Sequence, residues 1–401
     1  MKKNINITKN ENIIIDKMDI FNNIKKENYI IAEINIEEKD INEKIRIINS
    51  FYNKEEFENN CLIKINNKLI DFNDLYEFKE KGKFNIEYIF TSNLTKTDSM
   101  FSLCDKLANI NLSNFNAQNV KSMNCMFHKC ISLTNINLSN FKTQNVIDMS
   151  KMFSECYLLR KINLSSFDTN NVVNMSGMFE WCRSLTSIDL SNFNTKNVMN
   201  MHYMFGGCES LENINLSNFD TRNVIDISNM FSFCKSLTII DLSNINTLNV
   251  KNMSDLFQGC TSLININLSN FKTQKVNYMN GMFIGCKSLT EINLSNFNTQ
   301  NVFQMSSMFS GCESLTSLDL SNFDTINVRN MSMMFCGCKS LTNLNLAHFN
   351  SKNLIESIMM FYRCNSLRRE NIIVKDQKIG DIFLKNRSEE KVEKGEKKWK
   401  M

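Results

Sequence analysis

Fourteen cysteines and three histidines are the side chains of this 401-residue chain with the widest chemical repertoire. Eleven of the cysteines, from Cys104 to Cys364, recur at a fixed step of 26 residues, each three places after a phenylalanine of the series Phe101 to Phe361. A zinc site calls for paired cysteines or histidines at short spacing, and the ladder contains no CxxC. If successive copies stack about 4.8 Å apart, neighbouring thiols come close, yet their Cβ vectors run side by side instead of converging as a disulfide requires. The expectation is a ladder of buried, reduced thiols. Cys61, Cys125 and Cys336 lie outside it, and Cys336 with Cys338 forms a lone CxC of little weight. His128, His202 and His348 fall at three different places in the repeat, so stacking cannot gather them on one face. Asp189, Asp241 and Asp319 share one strand position with Asn137, Asn163, Asn215, Asn267 and Asn293. They stand two or three copies apart, roughly 10–15 Å, too far for the carboxylate pair of a glycosidase. Gly-rich phosphate loops and nucleophile elbows are missing as well. The residues point to no catalytic centre, no metal and no cofactor.

The repeat that carries these residues must bury most of itself. In "SLTNINLSNF", Leu133, Ile136, Leu138 and Phe141 keep the spacing LxxIxLxxF, so Ile136 and Leu138 face one way from a strand while Asn135, Asn137 and Ser139 face the other. In "NVIDMSKMFSEC", Val146, Met149, Met152, Phe153 and Cys156 are spaced by threes and fours, which predicts a second extended piece followed by one or two helical turns. Ser150, Ser176, Ser228, Ser254, Ser306 and Ser332 stand where helix N-caps belong. Glycine often precedes the cysteine, at Gly207, Gly259, Gly285, Gly311 and Gly337. Lys129, Glu155 and Trp181 occupy the same place elsewhere, so a positive φ is not expected to be required there. One unit offers about nine apolar side chains at ~1.5–3 kcal/mol each, against a backbone entropy cost of ~1–2 kcal/mol per residue. Stability must therefore come from stacking copies.

The array is flanked by different material. Residues 1–98 hold strand-like runs, with Asn66-Asn67 as a hairpin turn, and read as a small β-rich domain or cap; residues 368–401 read as a C-terminal cap and a charged, flexible tail. Net charge is +4, but charges cluster in these flanks and are sparse between Ser99 and Leu367. No stripe of lysine and arginine suited to phosphates results, which excludes nucleic acid as an expected partner. No run of 18 apolar residues is present, so no membrane insertion is expected, and the N-terminal lysines lack a following apolar run. A cytoplasmic location follows by default. The abundance of asparagine and isoleucine and the absence of proline fit an AT-biased genome and receive no structural reading.

The strand LxxIxLxxF followed by NVxxMSxMFxxC resembles the BspA-like leucine-rich-repeat family over Ser99 to Leu367, about two thirds of the chain. The resemblance implies an α/β fold, a right-handed solenoid of 26-residue coils with a parallel sheet on one face, and it implies surface proteins that adhere to host or matrix proteins. Asparagines of "SNF" and threonines of "TxN" are expected to bond the turning backbone. The outward residues ahead of the strand centre do vary: Asn135, Lys161, Ser187, Asn213, Ile239, Asn265, Glu291, Ser317 and Asn343. Six of these, Asn135, Lys161, Asn213, Ile239, Asn265 and Glu291, make with Asn137, Asn163, Asp189, Asn215, Asp241 and Asp319 a candidate ligand face, roughly 50 Å long for ten strands at the usual spacing. The expected function is non-enzymatic binding of a protein or glycan ligand by an adhesin or interaction scaffold. The alternative is an intracellular scaffold with the N-terminal domain as recognition module.

Overall fold

The computed structural model describes residues 28–386; the start of the N-terminal region and the end of the charged tail, residues 1–27 and 387–401, lie outside the described residues. The N-terminal part contains β1 (Tyr29–Ile36), β2 (Lys44–Arg46), α1 (Lys54–Asn60), β3 (Cys61–Ile65), β4 (Lys68–Ile70), β5 (Leu75–Glu77) and β6 (Gly82–Phe90). Alternation makes β1 a strand with one buried face: Ile30, Ala32, Ile34 and Ile36 point inward. Asn66 and Asn67, at φ 45° and 67°, make the left-handed turn that joins β3 to β4. The run from Lys44 to Tyr52 does not continue as a strand. Both oxygens of Asp74 take the Ser50 N–H, the Asn49 N–H bonds the Met100 carbonyl, and the chain turns into α1.

The repeats supply β7 (Leu107–Asn111) and β8 (Asn135–Asn137), then β9 (Ser317–Asp319) and β10 (Asn343–Leu346), with β11 (Ile372–Val374) after the last copy. β1 pairs antiparallel with β6 on one side and β7 on the other, and β7 pairs parallel with β8. One six-stranded sheet, in the order β4-β3-β6-β1-β7-β8, thus runs from the N-terminal part into the repeats. At the other end β9, β10 and β11 form a parallel sheet, and residues 377–386 are helical.

Between these ends the repeats depart from expectation in two ways. The segment from Met123 to Cys130 is not a helix. The N–H groups of Met123, Cys125, Phe127 and Lys129 donate to the next repeat, at Asp148, Ser150, Met152 and Ser154, while those of Met126, His128 and Cys130 donate three residues back. A helix would send every N–H along its own axis; here residues of positive φ, at Cys125 and Lys129, turn alternate groups along the stack. The same two positions are left-handed in every repeat, including Leu103, Glu155, Trp181, Phe233 and Arg363, so the positive φ before the cysteine is required after all and glycine is only one way to meet it. The serines expected as N-caps act differently, for Ser150 and Ser228 direct their hydroxyls to Asp148 and Asp226 two residues earlier.

The second departure concerns the strand face. From Lys161 to Asn293 no strand is formed, and the few backbone bonds across it are long, such as Thr186 to Arg160 and Glu212 to Thr186, both 3.3 Å. The unbroken ladder lies elsewhere, in parallel bridges linking Ser122, Asp148, Asn174, Asn200 and so on to Glu356. Ring spacing differs between the two sides. Along the Phe127 series neighbouring rings stack at 5.6–6.0 Å from Phe127 to Phe335, whereas beside the strand the spacing is uneven, 6.2 Å at Phe115–Phe141, 5.8 Å at Phe141–Phe167 and 6.4 Å at Phe167–Phe193, Phe271–Phe297 and Phe297–Phe323. Edge-on rings close the phenylalanine column, Tyr88 against Phe101 and Phe383 against Phe361.

Candidate functional site

The thiols form the interior of the stack. Cys104 through Cys364 are fully buried, and from Cys130 onward each Sγ–H lies 3.0–3.3 Å from the carbonyl of the phenylalanine 29 residues before it, as in Cys182 to Phe153 at 3.1 Å. Burial pushes the thiols of Cys182, Cys260 and Cys312 up to about 12. Such groups are neither nucleophiles nor metal ligands at neutral pH.

The histidines stay apart. His202 Nδ1 lies 2.6 Å from Ser228 Oγ, which would suggest a base and a nucleophile, but the Ser228 hydroxyl donates to Asp226 at 2.5 Å. The imidazole must therefore donate to the serine, the reverse of what activation requires. Burial holds His128 below the ordinary histidine range, opposed by Glu155, and its Nδ1 finds no hydrogen-bond partner. His348 bonds the Ser321 carbonyl. Among the described residues no group of three or more His, Cys, Asp or Glu is placed to hold a metal ion.

The twelve candidate residues of the strand face are all exposed, and they divide by role. Asn137, Asn163, Asp189, Asn215, Asp241 and Asp319 each accept, through a side-chain oxygen, the N–H of the residue two places on, at 2.9–3.0 Å. They end the strand in an Asx turn. Those hydrogen bonds from Ser191 and Ser243 hold the carboxyls of Asp189 and Asp241 below the usual range. Asn135, Lys161, Asn213, Ile239, Asn265 and Glu291 project from the same face, and Asn135 is tied to its neighbour Asn109 at 2.8 Å.

Asparagine proves to be a building material, which composition alone did not suggest. In "SNF", Asn192 and Asn218 donate to carbonyls of the previous repeat, and in "NV", Asn171, Asn197, Asn223 and Asn249 do the same at 2.7–2.8 Å. The threonines accept and donate across repeats: Thr169 Oγ1 takes the Asn194 N–H and gives its proton to the Asn194 carbonyl. The signal was present in the sequence as a fixed phase; what was missing was the distance between repeats.

Sequence reasoning also missed the left-handed edge. Arg183 stacks over Tyr157 and Trp181 at 4.6 and 5.2 Å, and Trp181 stacks on Phe233 across Gly207. Beside them the half-buried Glu209 carboxylate is paired with both Arg183 and Lys235.

A repeat protein built mostly of strands and turns is what the fold defines. The chain belongs to the family described as "Mycoplasma protein of unknown function, DUF285", which matches residues 16–133, 70–187, 159–266, 181–290 and 262–373. No curated protein matches it. Among solved structures, one titled "Crystal structure of TLR13-ssRNA13 complex" is similar at 15% identity and a TM-score of 0.22, over 68% of this chain and 48% of the other. The chain thus spans about half the length of that structural neighbour.

Proposed function

We propose that this protein is a non-enzymatic interaction scaffold that takes a protein or glycan ligand on its strand face, in the manner the BspA-like resemblance implies, with adhesion at a cell surface as the setting. The observation that carries the reading is the row Lys161, Asn213, Ile239, Asn265 and Glu291: exposed and varied, over a buried set of Leu, Met, Phe and Cys positions repeated almost without change. Ile239, 69% exposed, adds an apolar anchor to a polar face. No helix among the described residues is long and apolar enough to cross a membrane.

A second reading places recognition in the N-terminal part, and Phe51 and Tyr52 support it. They stand 78% and 66% exposed at the tip of a loop held down by Asn49 and Asn53. The test is a variant with Lys161, Asn213, Ile239 and Glu291 changed to Ala or Ser, compared in pull-downs with one lacking residues 1–98. The strand-face reading expects an unchanged melting curve and weakened capture in the first variant. Capture that survives there but is lost on removal of residues 1–98 supports the N-terminal module.

A further inference from the structure

We infer that the strand face has a defined binding site where the N-terminal strands join the first two repeats, and that the site takes a neutral oligosaccharide. The inference rests on the proposed reading of the strand face and gives it a place and a ligand class. Strand pairing aligns two rows across four strands: Asn85, Glu33, Asn109 and Asn135 in one, and Glu87, Ile31, Asn111 and Asn137 in the other. At about 4.8 Å per strand each row is roughly 14 Å long. All of them but Glu87 line a depression of about 340 Å³, large enough for one or two sugar rings.

The side chains in this floor are held in place. Glu33 Oε1 accepts from Lys83 Nζ at 3.1 Å and from Asn109 Nδ2 at 2.8 Å, and Asn109 Oδ1 accepts from Asn135 Nδ2 at 2.8 Å. Asn111 and Asn137 are fixed through Oδ1 by the N–H groups of Ser113 and Ser139, both at 3.0 Å. Asn109 commits both its polar atoms, while the other four each keep one for a ligand: Glu33 Oε2, Asn135 Oδ1, and the Nδ2 of Asn111 and Asn137. Donors and acceptors so fixed have lost their rotamer freedom before binding.

The mixture selects the ligand. Alternating amide donors and carboxyl or amide acceptors match hydroxyl groups, which both give and take hydrogen bonds. Ile31 offers apolar contact to the C–H face of a pyranose. Lys83 is committed to Glu33, so a polyanion finds no uncompensated cation. A peptide cannot add as a strand at β1 or β7, each of which is paired on both sides.

The full chain is probed on an array of neutral hexose and N-acetylhexosamine oligosaccharides of two to six units, and the strongest is titrated calorimetrically. Asn135→Trp fills the depression; Asn265→Trp puts the same bulk at the same phase of a distant repeat; Glu33→Gln keeps the shape and changes the acceptor. Expected are binding by the parent, a loss of about tenfold or more in N135W, weaker binding in E33Q, and full binding in N265W, with unchanged melting curves. Loss in N265W with retention in N135W would overturn the junction site but leave the strand-face reading. Retention in both would overturn both. No binding to any neutral oligosaccharide, with a protein ligand lost in N135W, would overturn the ligand class.

Discussion

Gly285 and Gly207 separate two costs that usually come together. Both are left-handed, at φ 67° and 78°, but a Cβ on Gly285 would meet nothing nearer than 3.8 Å, whereas one on Gly207 would sit 2.4 Å from the Trp181 ring. Gly285→Ala should cost only the backbone strain, about 1 kcal/mol, read by chemical denaturation. Gly207→Ala should cost more, and combining it with Trp181→Ala should return part of the excess; strict additivity of the two changes would show that the ring is not the obstacle. His128 adds a pH dependence. Its folded pKa is depressed by burial, so below about 6.5 the unfolded chain takes up a proton that the folded chain refuses. Stability should fall as pH drops through that value and level off below the folded pKa. Melting temperatures measured against pH should show a shallower acid loss in His128→Gln.

The cysteine ladder and the first repeat's attachment are properties of elements. Thiols raised to about 12, as at Cys182, Cys260 and Cys312, carry almost no thiolate at pH 8. Iodoacetamide should therefore modify the half-buried Cys125 and Cys336 first, and the ladder only after denaturation, as intact mass would reveal; rapid modification of the ladder would contradict the burial. Lys106, in the first repeat, bonds Asp40 of the N-terminal part at 2.7 Å, with side-chain exposures of 17% and 8%. Burial works against the Asp40 charge, but hydrogen bonds from Lys106 and from the Glu37 N–H outweigh it and hold the carboxyl low. Lys106→Met strands that carboxylate and should destabilise the junction by about 3 kcal/mol. Earlier proteolysis within residues 28–98 than in the repeats would locate the damage.

At the scale of the molecule, stability should follow nearest-neighbour contacts. Removing residues 179–230, two whole repeats, joins Met178 to Phe231 in phase, so ring stacks, thiol bonds and asparagine bonds can all reform with the next copy. A shorter folded stack with a cooperative melt is expected. Removing half a repeat instead turns Met, Phe and Cys positions toward solvent and should abolish the transition. Equal melts from the two deletions would refute modular stacking.

What the residues determined alone was period and direction: the 26-residue step, the inward set of Leu, Ile, Met, Phe and Cys, the outward set now exposed, and the Asn66-Asn67 turn. These follow from local chemistry repeated in phase, and one copy contains the information. Three matters were decided between copies. The turn at Cys125 to Cys130 could have closed as a helix by its spacing, but only alternating left-handed residues let its N–H groups reach the next repeat. Strand pairing differs between copies of one pattern, for β7 pairs with β8 and β9 with β10 while the copies from Lys161 to Asn293 form no strand. The junction site brings Glu33 within 2.8 Å of Asn109, 76 residues away, because β1 lies against β7. Side-chain alternation tells which face a residue takes; which strand will lie beside it is set by the packing of the whole sheet.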